Sequence, residues 1–220
     1  MKKYLKIFLA ISTAALLLTG CLGTPDPELT NSGLEEPMTE NANKTEQHNL
    51  PGVLLFDFQP GVPPWNSVDD DVMGGVSSSA GRITEDGTLL FSGTMSLENN
   101  GGFASLRSPW NPIDLSGKDG LLIRVLGDGQ LYRLRIRTSD TGREIAYNSF
   151  FETGDGEWGT VYLPFETMVP TLRGFRVPAG ELNPASITGL GLMLSDKQPG
   201  EFALEVDWIR VVEEGEIGGQ

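Results

Sequence analysis

The sequence predicts an all-β fold of two packed antiparallel sheets, and three observations carry the prediction. The 28 glycines and 14 prolines interrupt the chain too often for long helices. Between them, roughly nine short apolar or alternating runs recur at the spacing of strands joined by turns. Finally, 220 residues at 39% hydrophobic content supply one sizeable core, with little left for a second domain once the chain ends are set aside.

The first strand is read over residues 53–58, VLLFDF. Residues 88–97 and 102–108 follow, and the intervening Glu98-Asn99-Asn100-Gly101 suits a hairpin connection. Residues 120–126 and 130–138, joined by Gly127-Asp128-Gly129, make a second and stronger hairpin signal. Four further strands are read over residues 145–152, 159–164, 187–194 and 202–212, with 154–156 and 178–184 as loops. Alternation in the last strand puts Phe202, Leu204, Val206 and Trp208 on one face, which should point to the core.

Alternation in residues 130–138 separates Arg133, Arg135 and Arg137 from Tyr132, Leu134 and Ile136 on the opposite face. A row of guanidinium groups stands out in so acidic a chain. It reads either as a solvated face paired with carboxylates, for which Glu205 and Asp207 are candidates, or as a concave face whose planar forks bind carboxylate, sulfate or sugar hydroxyls.

Residues 65–78, WNSVDDDVMGGVSS, form the other candidate. Asp69, Asp70 and Asp71 repel one another and cannot all be buried, which argues for a loop. Gly74 and Gly75 permit positive φ or close approach to another surface. Trp65 and Met73 offer two apolar anchors that could pin the loop to a sheet. The segment reads as a capped, solvated loop or as a surface for a ligand or partner.

The formal charge of -14 argues against general nucleic-acid binding, which needs a basic surface. One Cys and one His leave little for an internal disulfide, a Cys/His zinc site or a nucleophile–His pair, so neither catalysis nor a cofactor is expected. Asp69 and Asp71 with backbone carbonyls could hold Ca²⁺, although consecutive aspartates lack the alternate spacing of an EF-hand loop.

Residues 1–20 have the plan of an export signal: Lys2, Lys3 and Lys6, then an apolar run too short to span a bilayer, then a small-residue end. Leu18-Thr19-Gly20-Cys21 resembles the bacterial lipobox, which implies an acylated Cys21 as the mature N-terminus and an envelope location. Removing residues 1–20 takes away three lysines and no acidic residue, so acyl chains and not charge must hold the membrane. Residues 21–51 read as a lipid-anchored, disordered linker with a reach of roughly 30 Å, and His48 lies within it. The folded domain is read over 52–214, with a tail over 215–220.

The order of motifs over about residues 53–213 resembles the complex I intermediate-associated protein family. The matching pieces are Trp65 with residues 68–77 (VDDDVMGGVS), Phe91-Ser92-Gly93 and residues 100–105 (NGGFAS). Gly127-Asp128-Gly129, Tyr132 with Arg133-Leu134-Arg135, Trp158 with Leu163-Pro164-Phe165, Arg173-Gly174 and Gly189-Leu190-Gly191 follow. The resemblance implies a galactose-binding-like jelly roll. From the mitochondrial members it also implies an assembly chaperone for NADH:ubiquinone oxidoreductase that binds intermediates without catalysis. A lipobox, however, sends the mature domain to the side of the membrane opposite the peripheral arm of complex I.

Two function classes follow. The first is a non-catalytic, lipid-anchored binding or assembly scaffold with a protein partner. The second is a lipid-anchored carbohydrate-binding module that stacks sugar on exposed aromatics such as Trp65, Trp110 or Trp158. A flat row of aromatics across one face favours sugar, and buried tryptophans favour protein.

Overall fold

The computed structural model describes residues 50–140 and 145–217, which lie in the compact unit Glu46–Gln220. Cys21, the export signal, His48 and nearly all of the expected linker lie outside the described residues. In chain order the strands begin with β1 (Val53–Phe56), β2 (Asn66–Ser67), β3 (Ser78–Ile83), β4 (Leu89–Met95), β5 (Ala104–Arg107) and β6 (Gly120–Asp128). They continue with β7 (Leu131–Thr138), β8 (Ala146–Glu152), β9 (Asp155–Pro164), β10 (Val169–Leu172), β11 (Phe175–Arg176), β12 (Ile187–Leu194) and β13 (Gly200–Val212). The only helical segments among the described residues are short 3₁₀ turns.

Two antiparallel sheets result. One runs β3-β4-β13-β6-β9, with β1 added to the C-terminal half of β13; the other runs β11-β10-β8-β7-β12-β5-β2. The inward faces meet in one core: Leu89, Phe91, Ile123 and Leu204 from the six-stranded sheet pack with Leu106, Leu134, Ile136 and Leu192 from the seven-stranded sheet. Each such side chain contributes about 1.5–3 kcal/mol by leaving water. Tyr132 is also buried there, and its hydroxyl donates to Asp128 at 3.0 Å. Burial and the Asp128 charge push that phenol well above its usual pKa.

Both expected hairpins are corrected by this topology. β4 and β5 belong to different sheets, and so do β6 and β7. Turn residues reverse the chain, but they do not specify whether it returns beside itself or crosses to the facing layer. After β4 the crossing uses Asn99 and Asn100 at φ 54 and 60, a left-handed pair that Asn tolerates better than most residues.

The last strand also departs from strict alternation. Its register against β6 shifts between Val206 and Trp208, as a β-bulge does. Phe202, Leu204 and Val206 therefore share the main core with Ile209 and Val211, whereas Trp208 is buried in a separate cluster with Leu122 and Val212. Asp155 and Gly156, read as loop, begin β9, and Asp155 pairs with the end of β6.

Candidate functional site

The acidic stretch closes on itself as a clasp between the sheets. Val68 N–H donates to the Ser105 carbonyl at 2.8 Å, which brings the next residue over the β3–β5 junction. Asp69 there accepts from Ser79 N–H at 2.7 Å and Ser79 hydroxyl at 2.6 Å, both on β3, and from Ser105 N–H at 3.1 Å on β5. One carboxylate thus ties the six-stranded sheet to the seven-stranded one.

Asp70 opens a 3₁₀ turn, Asp70–Met73, and is fully buried. Its Oδ1 accepts from Ser77 N–H at 2.9 Å, and its Oδ2 from Ser77 hydroxyl at 2.6 Å, Gly102 N–H at 2.6 Å and Phe103 N–H at 3.2 Å. Burial opposes the charge, but the hydrogen bonds from Ser77, Gly102 and Phe103 outweigh it and hold the pKa below the ordinary aspartate value. The two glycines serve this carboxylate differently. Gly74 caps the turn at φ 89, and a Cβ on Gly75 would sit 2.2 Å from Asp70 Oδ1.

The remaining loop residues divide. Trp65 is buried against Phe56 and Phe58, edge-on at ring separations of 5.4 and 5.8 Å. Met73 is 67% exposed, so the loop has one apolar anchor and not two. Asp71 is also exposed, and its carboxylate accepts from Val72 N–H. Calcium fits this arrangement poorly, because the Asp69 and Asp70 oxygens already face N–H and O–H donors where a cation needs further oxygen ligands.

The arginine row lies on the outer face of the seven-stranded sheet, as the alternation predicts. Arg133, Arg135 and Arg137 stand opposite Phe150, Asn148 and Ala146 of β8 on one side, and Met193, Gly191 and Gly189 of β12 on the other. Arg107 of β5 pairs with Gly191, so a strip without side chains at Gly191 lies between Arg135 and Arg107. The Arg133 guanidinium stacks 4.3 Å over the Phe150 ring, and burial moves its pKa down. Arg135 reaches Met193 Sδ at 3.7 Å, and Arg137 donates to the Ser108 carbonyl at 2.7 Å.

Glu205 and Asp207 do not pair with this row. β13 lies in the other sheet, where Asp207 accepts from Arg124 at 2.9 Å and Glu205 accepts from the Thr88 hydroxyl. Desolvation raises the Asp207 pKa despite Arg124. The tryptophans form no platform: Trp65 and Trp208 are buried, Trp110 follows β5, and Trp158 sits on β9 in the opposite sheet under Arg124.

The model of the complex I intermediate-associated protein 30 family matches residues 55–206, across the clasp, the arginine row and most of β13. The chain belongs to this family. It is 30% identical over 181 residues to mouse complex I intermediate-associated protein 30, mitochondrial, covering 72% of this chain and 55% of the relative. It is 26% identical over 179 residues to the probable Caenorhabditis elegans protein of that name, covering 71% and 52%. The chain thus spans about half the length of the curated relatives it matches.

Among solved structures, the fold of this family member is similar to carbohydrate-binding modules. The family 11 module of a Clostridium thermocellum cellulosomal cellulase superposes with TM-score 0.58 at 18% identity, covering 74% of this chain and 95% of the module. The same module in complex with a β-1,3-1,4-mixed-linked tetrasaccharide gives 0.58 at 19%, covering 74% and 96%. A family 30 module gives 0.50 at 19%, covering 75% and 100%. These likenesses establish the jelly-roll fold.

Sequence reasoning missed Arg107, Phe150 and Met193 as neighbours of the row. Local alternation marks a face, but no local signal says that β7 lies beside β12, which follows it in the chain by about fifty residues.

Proposed function

We propose that this family member is a non-catalytic, lipid-anchored binding module of the cell envelope, holding a protein partner on the outer face of its seven-stranded sheet. The observation that carries this reading is the arginine row itself: Arg107, Arg133, Arg135 and Arg137 share one face in a chain of formal charge -14. The clasp supports it from the other direction. Asp69 and Asp70 have their oxygens taken by main-chain and serine donors, so the acidic loop serves the fold.

The anchor belongs to the same proposal. Cys21 in Leu18-Thr19-Gly20-Cys21 would carry the acyl chains, and the residues up to 51 would give the domain its reach. A sugar-binding role has in its favour the exposure of Trp110 and Trp158, 65% and 40%, and the likeness of the fold to carbohydrate-binding modules. It lacks the row of aromatics that sugar stacking calls for.

Crosslinking in intact cells, followed by purification and identification of the captured protein, tests the binding role. A reproducible envelope protein is expected. Recovery of none, together with specific binding on a glycan array, would reverse the choice. Radiolabelled palmitate should enter the protein and be lost in Cys21→Ala; labelling that survives the substitution removes the anchor.

A further inference from the structure

We infer that the end of the sandwich at which the domain meets its tether is a membrane-contact surface, resting Trp110 and Phe175 in the headgroup layer of a zwitterionic phospholipid bilayer. This inference rests on the acylated Cys21 proposed above and not on the protein partner.

Strand registers define that end. β1 starts and β13 finishes there, with Val53 opposite Val211, and Gly120 at the start of β6 lies opposite both Val212 and Pro164, the last residue of β9. Ile113 N–H donates to the Ile187 carbonyl at 2.9 Å, and residues 114–119 lead on to Gly120, so β12 starts at the same end. β8 runs away from it and hands over to β9 after a short turn, so β8 begins here at Ala146, opposite Thr171 of β10.

The tether and two exposed aromatic rings meet at this end. The buried Arg210 donates to the carbonyls of Pro51, Leu50 and Gly52 at 2.8, 3.3 and 2.7 Å, and Leu50 packs against the Trp208 cluster. The chain leading back toward Cys21 is thereby fastened where it joins the domain. Phe175, 78% exposed, rides on the β10–β11 hairpin, whose turn residues Arg173 and Gly174 have φ 50 and 83. Trp110, 65% exposed, continues the line of β5 and precedes Asn111, whose N–H donates to the Thr188 carbonyl at 3.0 Å. No aromatic side chain among the described residues is more exposed than these two. The strand order places β11 and β5 five strand spacings apart, about 24 Å at about 4.8 Å each. With the tether in the facing sheet, the two rings make three points of contact, enough to set the tilt of the domain.

Charge decides the kind of bilayer. Arg173 and Arg176 are exposed, pair with no carboxylate among the described residues, and reach lipid phosphates from the hairpin that carries Phe175. The rest of this end carries Asp114, Asp119, Glu166, Glu181, Glu214 and Glu216, which an anionic surface repels. Aromatic rings favour the headgroup layer without needing net charge. A weak contact suffices, because a tether with a reach of roughly 30 Å keeps the domain beside the bilayer at high effective concentration.

The test uses the acylated full-length protein in phosphatidylcholine vesicles, with Phe175→Cys or Trp110→Cys carrying a nitrobenzoxadiazole fluorophore. The chain's single cysteine is the acylated one, so the new thiol reacts alone. Spin-labelled lipid should quench most of the emission from positions 175 and 110. It should quench little from Met73→Cys, which puts the same label on the exposed loop at the opposite end, where Asp70 holds Gly102 beside the start of β5. Exchanging half of the phosphatidylcholine for phosphatidylglycerol should lessen the quenching at 175 and 110, and added salt should restore it. Phe175→Ser, shown folded by its melting curve, should lessen it at 110. Flotation of the vesicles reads the anchor separately. Protein that floats with the labels at 175 and 110 quenched no more than the label at 73 overturns the contact and leaves the anchor standing; protein that does not float overturns both. Quenching that rises with phosphatidylglycerol, or that is unchanged at 110 in Phe175→Ser, also overturns the contact. So does a benzophenone at position 175 that captures a protein in intact cells while the vesicle label stays unquenched.

Discussion

Asp70 is buried, and four donors on two segments, Ser77 and the adjacent Gly102 and Phe103, hold its carboxylate ionised there. Replacing it with Asn turns an acceptor into a half-donor facing those N–H groups. Asp70→Asn should cost about 2–4 kcal/mol of unfolding free energy by urea titration. The pH dependence has a definite sign. A carboxylate whose folded pKa lies below its ordinary value stabilises the fold above that ordinary value, and the contribution is lost as pH falls through the lower folded pKa. The wild type should therefore lose stability below about pH 4 more steeply than Asp70→Asn, as followed by melting temperature. Parallel curves would remove Asp70 from the acid transition. Sequence reading identified these residues but misjudged their exposure. Repulsion among three aspartates does exclude burying all three, yet two are buried because β3 and β5 arrive with serine hydroxyls and main-chain donors from distant parts of the chain.

Among the elements, β3 depends on a glycine in its neighbour. A Cβ on Gly93 would lie 2.1 Å from the Ser78 carbonyl, a main-chain atom that cannot step aside without breaking the β3–β4 ladder. Gly93→Ala should cost about 1–3 kcal/mol, with amide exchange quickening in β3 before β13. Unchanged exchange in β3 would mean the ladder tolerates the methyl group. β13 should be the slowest element to exchange, because it is paired with β4 and β1 on one side and with β6 on the other. Strand identity was legible where period-two patterning was strong: residues 187–194 match β12 at both ends. β3 was missed because Ser-Ser-Ala-Gly-Arg-Ile has little apolar content, and β2, β10 and β11 because they are too short to carry a pattern. Both expected hairpins failed for a different reason: pairing partners are chosen by the packing of whole layers, which no window of neighbouring residues contains.

At the scale of the molecule, a strongly acidic jelly roll carries Arg107, Arg133, Arg135 and Arg137 together on one face of its seven-stranded sheet and commits its most conspicuous acidic motif to holding the two sheets against each other. That division of labour separates two surfaces that sequence reading left as equal candidates. The Val72–Val76 turn still exposes Val72, Met73 and Val76, so the two surfaces can be compared in one molecule. The most direct comparison installs a photoreactive benzophenone side chain in the full-length protein at position 150, beside Arg133, and separately at position 76 on the acidic loop. Irradiation in intact cells should give a discrete protein adduct from position 150 and none from position 76. An adduct from position 76 alone would assign recognition to the loop and contradict the account.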